Sequence, residues 1–189
     1  MNNRSSPLRL ALALAACLLL VAAPWRAQAQ RAEATEASVK AAFLYKFAGY
    51  VEWPPDALAG PGTPFTIGVI GADAVAEALA QIAPGRSVAG HPVALKQLGE
   101  GDPAKGVQLL FVGGANPGRY AALIAAAQKG GALVVTESER GLAAGATINF
   151  VPANEHVGFE VSLESAQRSG LRISSRMLAV ARRVVQKGA

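Results

Sequence analysis

Apolar residues run unbroken from Leu10 to Ala23, behind Arg4 and Arg9 and ahead of Pro24. That order predicts the charged and hydrophobic regions of an export signal. At roughly 14 residues the run is too short to span a bilayer as a stable helix. Ala27-Gln28-Ala29 supplies the small-x-small pattern of a signal peptidase site, so residues 1–29 are expected to be removed. Residues 30–189 are then expected to form a single domain acting in the cell envelope.

In that domain the spacing predicts a helix from about Glu36 to Tyr50, capped by Thr35, with Val39, Phe43, Phe47 and Tyr50 on one core-facing stripe. Tyr45 falls on the opposite face, so the helix carries aromatic character on two sides. Trp53-Pro54-Pro55 ends it. Three continuous apolar runs follow: Phe65 to Ile70, Leu109 to Val112 and Leu133 to Thr136. Runs of this length read as buried strands of a parallel sheet. Helices are expected between them, one from Asp73, taken as its cap, to Ile82, and one from Asn116-Pro117 to Gln128. A short strand pair is expected around Val88 and Val93 to Leu95. Toward the end, 147–151 and 157–161 flank Pro152-Ala153-Asn154-Glu155 as in a hairpin. Ser162 and Ser174 are expected to cap two last helices, the second carrying Arg176, Arg183 and Lys187 on its outer side. The fold class predicted is α/β, three-layered: a mixed, mostly parallel sheet flanked by helices, with an antiparallel C-terminal hairpin.

Composition narrows the function. The formal charge is +5, and loss of Arg4, Arg9 and Arg26 leaves 15 basic against 13 acidic residues, or +2, which gives no support to nucleic-acid binding. The only cysteine, Cys17, lies in the apolar run. Leu14-Ala15-Ala16-Cys17 has the form of a lipoprotein box, but the hydrophobic run continues past it through Ala23, which argues for soluble processing. With Cys17 removed, neither a disulfide nor a thiolate ligand or nucleophile remains, and about 70% of the unfolded surface of a domain this size is buried, so its core suffices.

Two blocks resemble the YfiR-like periplasmic proteins, formerly a domain of unknown function. One is Val39-Lys40-Ala41-Ala42-Phe43-Leu44-Tyr45-Lys46-Phe47 with Val51-Glu52-Trp53-Pro54. The other is Phe159-Glu160-Val161 with Gly170-Leu171-Arg172-Ile173-Ser174-Ser175-Arg176-Met177-Leu178. The resemblance implies a non-enzymatic regulator that represses a membrane diguanylate cyclase, or another sensor protein, by binding its periplasmic part, and that an OmpA-like outer-membrane lipoprotein sequesters. It implies control of cyclic-di-GMP and biofilm output. Two departures stand out: the best-known member uses disulfides, which this chain lacks after processing, and Ser162 stands where the family often has Asn.

For partner binding the candidates are Tyr45, Trp53, Arg176 and Arg183, aromatic anchors and exposed cations of the kind that interfaces use. For a ligand the candidates are Gly113, Gly114 and Asn116, at a strand's carboxyl end next to a helix start, with Glu160 and Arg172 or Arg176 as its ion-pair partner. A plain turn explains the glycines equally, since neither a GxGxxG fingerprint nor a Walker lysine accompanies them. His91 and His156 lack metal-ligand spacing, and no GxSxG elbow is present, so no metal, cofactor or catalytic residue is expected. A homodimer is expected. The competing readings are a small-molecule-binding module at Gly113, Gly114 and Asn116, and a hydrolase without a recognisable motif.

Overall fold

The structure, a computed structural model, describes residues 35–58, 60, 62–153 and 156–186. The export signal, Cys17, Asn154, Glu155 and Lys187 lie outside the described residues. From Ala37 onward the chain forms one compact unit. Helix α1 is described over 35–49. After it come β1 (Val51–Glu52), β2 (Phe65–Ile70), α2 (Asp73–Ile82), β3 (Ser87–Val88), β4 (His91–Gln97) and β5 (Leu109–Val112). Helix α3 (Ala121–Lys129), β6 (Leu133–Thr136), β7 (Ile148–Ala153), β8 (His156–Ser162), α4 (Leu163–Arg168), β9 (Arg172–Ile173), α5 (Ser175–Val180) and β10 (Arg183–Val185) complete the order.

Eight strands form one sheet in the order β10-β8-β7-β6-β5-β2-β4-β3. β4, β2, β5, β6 and β7 run parallel, β8 turns antiparallel to β7, and β10 lies parallel to β8. The central strands β5 and β6 are buried throughout, as the continuous apolar runs require of a sheet covered on both faces. One face packs against α1 and α2 through Phe65, Ile67, Val69, Phe111, Val135, Phe150 and Phe159. The other, through Leu110, Val112 and Val134, packs against Ile124 and Ala127 of α3. The α/β three-layer arrangement and the C-terminal hairpin are as the sequence predicts. The hairpin strands reach Ala153 and His156, beyond the predicted ends, with Pro152 paired to Val157.

The buried stripe of α1 keeps Phe47 of the predicted one, at 2% exposure, with Phe43 packed against the core, and otherwise differs. Ala37, Ala41, Leu44 and Ala48 are buried, whereas Val39 and Tyr50 are exposed at 37% and 45%. Three alanines at helical spacing let the backbone approach the sheet closely, and closeness of packing outweighs the size of the apolar side chain. Phe43 and Phe47 lean to one side of this stripe, where they meet Phe150 and Phe159 at centroid distances of 4.9 to 6.1 Å. The chain leaving α1 forms β1, which pairs antiparallel with β9: Val51 opposite Ile173 and Glu52 opposite Arg172.

Two local expectations are corrected. Ala72, not Asp73, holds the N-cap of α2; Asp73 is the first helical residue, and its carboxylate accepts from Gln97 Nε2 at 2.7 Å. A carboxylate in the first turn is still favourable to the helix dipole. The last helix stops at Val180, and Arg183–Val185 is a strand, so Arg176 and Arg183 share no helical ridge. Valines at 184 and 185 fit a pleated edge better than a helix end, and β8 offers them a paired backbone. The two serine caps are as predicted: Ser162 Oγ accepts from Ser165 N at 3.2 Å and Ser174 Oγ from Met177 N at 3.3 Å.

β4 and β5 are joined across β2 by an irregular strap over 98–108, where a parallel crossover ordinarily uses a helix. Leu98, Ala104 and Val107 of the strap are buried on the α3 face. Gly68 makes this possible. A Cβ there would stand 2.9 Å from Val107 Cγ1 and 3.2 Å from Leu98 Cδ1, so a side chain inside β2 would lift the strap off the sheet.

Candidate functional site

At the carboxyl end of the parallel strands, the loops after β2 and β5 touch. Gly113 N–H donates to Ile70 O at 2.8 Å, and a Cβ on Gly113 would stand 2.5 Å from Ala72 Cβ and 2.6 Å from Gly71 O. Backbone therefore fills the place where many α/β sheets hold a ligand. Next to it, Gly114, at φ 86°, donates its N–H to Glu137 Oε1 at 2.7 Å, and Lys40 Nζ meets Glu137 Oε2 at 2.6 Å. Both charged side chains are largely buried, at 14% and 18% exposure. The protein's own carboxylate thus takes the backbone donor of Gly114, and α1 is tied to the end of β6. Asn116 precedes a 3-10 turn, exposed and without a side-chain capping bond.

The five predicted ligand residues fall in three places. Gly113, Gly114 and Asn116 sit together. Glu160 lies on β8, where both its oxygens accept from Arg183, from Nε and Nη2 at 2.9 Å each, so Arg183 takes the part foreseen for Arg172 or Arg176. That bidentate carboxylate contact raises the Arg183 guanidinium pKa further above its ordinary value. Arg172 lies on β9 with Nη1 4.0 Å from Glu52 Oε2, an exposed pair of little weight. His91 Nδ1 lies 2.7 Å from Thr63 O, and His156 is exposed. Among the described residues no group of three or more His, Cys, Asp or Glu side chains could hold a metal ion.

The predicted partner residues also separate. Trp53 is half-buried; its indole N–H donates to Ala48 O at 3.0 Å, and its ring stands edge-on to Phe65 at 5.0 Å. It closes the end of α1. Tyr45 packs against the core with its hydroxyl 3.3 Å from Ser87 O and the Arg86 guanidinium 5.0 Å above its ring. It joins α1 to β3. Since that hydroxyl bond is long and exposed, Tyr45→Phe is expected to shift stability by no more than about 0.5 kcal/mol in urea unfolding. Arg176 is exposed on α5, and Arg183 is held by Glu160 at the sheet edge.

A groove of about 740 Å³ that the sequence did not suggest lies between the strap and α3. Ile70, Val107, Leu123 and Ala127 are among its apolar lining, with Gln108 and Asp56 also contributing. Glu100 and Arg119, joined at 2.5 Å, are part of its wall. The only signal was indirect: Gly99, Gly101, Pro103 and Gly106 preclude a regular helix over the strap. Hydrogen bonding and charge from Arg119 lower the Glu100 pKa. A folded pKa below the unfolded one means that the pair stabilises the fold above the unfolded carboxylate range and stops doing so as pH falls through the Glu100 value. Wild type is therefore expected to melt slightly above Glu100→Gln near neutral pH, with the difference shrinking as pH falls through the lowered Glu100 value. Thermal melts over that fall in pH check it; the size is small because both groups are exposed.

The chain matches the YfiR/HmsC-like family model over residues 37–182 and belongs to that family. The family is one of periplasmic regulators rather than enzymes. No curated protein matches the chain. Among solved structures it is similar to the ABC domain in complex with L-Trp from Streptococcus pneumonia, at 12% identity and a TM-score of 0.47, over 64% of this chain. The match spans 55% of that structure's length. Among the described residues no helix is long and apolar enough to cross a membrane.

Proposed function

We propose that this chain is a periplasmic, non-catalytic regulator that binds the periplasmic part of a membrane diguanylate cyclase and holds it inactive, so lowering cyclic-di-GMP and biofilm formation. The observation that carries the reading is the family match across residues 37–182. The site geometry agrees with it: the polar groups at the sheet's carboxyl end are occupied with one another, Glu137 with Lys40 and Gly114, rather than converging on an open space. Repression follows from binding the inactive cyclase more tightly than the active one, which shifts the population between them. An OmpA-like outer-membrane lipoprotein that sequesters the regulator releases the cyclase, and a homodimer is the form in which the chain acts.

Crosslinking in intact host cells, followed by mass spectrometry of the envelope fraction, tests it. Recovery of a membrane protein with a cyclase domain is expected, together with raised cyclic-di-GMP when this chain is deleted. Unchanged cyclic-di-GMP on deletion would sink the proposal. The groove under the strap favours a second reading, in which a small molecule binds there and feeds into the same regulation. Calorimetric titration with amino acids and nucleotides separates it from protein contact alone.

A further inference from the structure

β10 closes one end of the eight-stranded sheet and, among the described residues, pairs on one side only. Ser162 N–H is bonded to Thr147 O, toward β7. Alternation along β8 then turns the peptide groups of Phe159 and Val161 toward β10. The register, Arg183 opposite Glu160 and Val185 opposite Ser162, in turn directs Arg183 and Val185 inward and leaves the N–H and C=O of Val184 on the open edge. An open edge is a template for a further strand.

The surroundings of this edge have a definite chemistry. Val180, at the end of α5, is 69% exposed, the most of any large apolar side chain described, and Val184 is 37% exposed. Arg176 shares the face of α5 with Val180, four residues away. Arg182 is exposed immediately before β10, its methylenes lying across Gly158. The one acidic side chain paired here, Glu160, is already taken by Arg183 through both oxygens. Exposed valines with surplus arginine charge suit an extended, acidic, apolar segment. A second copy of this chain suits them less, because a two-fold contact would bring arginine against arginine.

We infer that the β10 edge, with Val180, Val184, Arg176 and Arg182, is the docking surface for an extended acidic segment of the regulated membrane protein, which adds to the sheet as a further strand. The inference rests on the regulator reading and names its contact. Main-chain bonds to Val184 fix the segment, alternate side chains meet the valines, and carboxylates meet Arg176 and Arg182.

The experiment places a photoreactive benzoylphenylalanine at Val180, at Tyr50 and at Ala125, in the full chain in host cells. The expected result is a Val180 crosslink whose peptide, read by mass spectrometry, is an Asp- or Glu-bearing stretch of a membrane protein's periplasmic part. Arg176→Glu with Arg182→Glu should reduce that crosslink at least about tenfold. Val184→Pro should do likewise, since proline removes an N–H that faces away from β8 and is tolerated at a sheet edge. Thermal melts matching wild type show that each variant is folded; should Val184→Pro melt early, the arginine pair alone decides. Crosslinks to the membrane protein from Tyr50 or Ala125 with Val180 silent would overturn this surface and leave the regulator reading standing. Crosslinks from Val180 only to a second copy would overturn the acidic partner. Failure of all three positions to reach any membrane protein would overturn the regulator reading, and this contact with it.

Discussion

Phe47→Ala is expected to destabilise the domain by ~3–5 kcal/mol, the range for truncating a fully buried aromatic. Phe47 is 2% exposed and touches three other rings: Phe43 at 5.6 Å, Phe150 at 5.7 Å and Phe159 at 4.9 Å. The rings from α1 and from the β7–β8 hairpin interlock, so the substitution leaves a cavity walled by both and also loses the edge-to-face contact with Phe159. Neither wall collapses easily, because α1 is held at one end by the β1–β9 pairing and midway by Lys40 on Glu137. Urea unfolding measures the loss. A cost under about 1 kcal/mol would mean that the helix repacks without Phe47 and is not anchored by it.

Asn149→Ala should rank next. Asn149 is 2% exposed, and its Oδ1 accepts from Thr136 Oγ1 at 2.8 Å and from Ser138 N–H at 3.1 Å. Removing the amide orphans two buried donors at once, each costing ~1–3 kcal/mol. Gly141 testifies to the tightness of this site, since a Cβ there would collide with both Asn149 Oδ1 and Thr136 Oγ1. Loss of the amide also frees the turn after β6 that presents Glu137 to Lys40, so faster amide exchange over 137–141 should accompany the fall in melting temperature. Exchange unchanged there would show that the turn is held by its own backbone.

The elements most legible in the sequence are those whose apolar runs leave one reading. β2, β5 and β6 are short, continuous and buried on both faces, and only a covered parallel strand has that pattern. The hairpin was legible for a different reason, two apolar segments around a short polar stretch. β10 was not. Leu178, Ala181 and Val185 sit at helical spacing after a serine cap, and the competing partner, β8, is far away in sequence; the β-branched pair Val184-Val185 was the one signal available. The misplacement of Glu160's partner follows from the same step, because an Arg183 assigned to a helix cannot lie opposite Glu160 in a sheet. On α1, alanine weighs little in a hydropathy pattern yet marks the closest approach to the sheet, so the pattern finds Phe47 and Phe43 but adds the exposed Val39 and Tyr50 and puts the buried Ala41 and Ala48 on the opposite face. Nothing in the sequence joins Lys40 to Glu137 across 97 positions; topology alone does that.

The wrapping of α1 onto the hairpin also sets a timetable. The helix formed by residues 35–49 lays Phe43 and Phe47 on Phe150 and Phe159, and the strand directly after it pairs with residues 172 and 173. A chain that emerges N-terminus first therefore shows its aromatic helix more than a hundred residues before the surface that covers it exists. Local structure in α2 and α3 can form meanwhile, but closing the domain waits on its last quarter, which makes folding slow and leaves the early helix sticky in the interval. Truncation beyond the hairpin leaves the aromatic seat of the first helix but takes away residues 172 and 173, and with them the pairing that holds the strand directly after it.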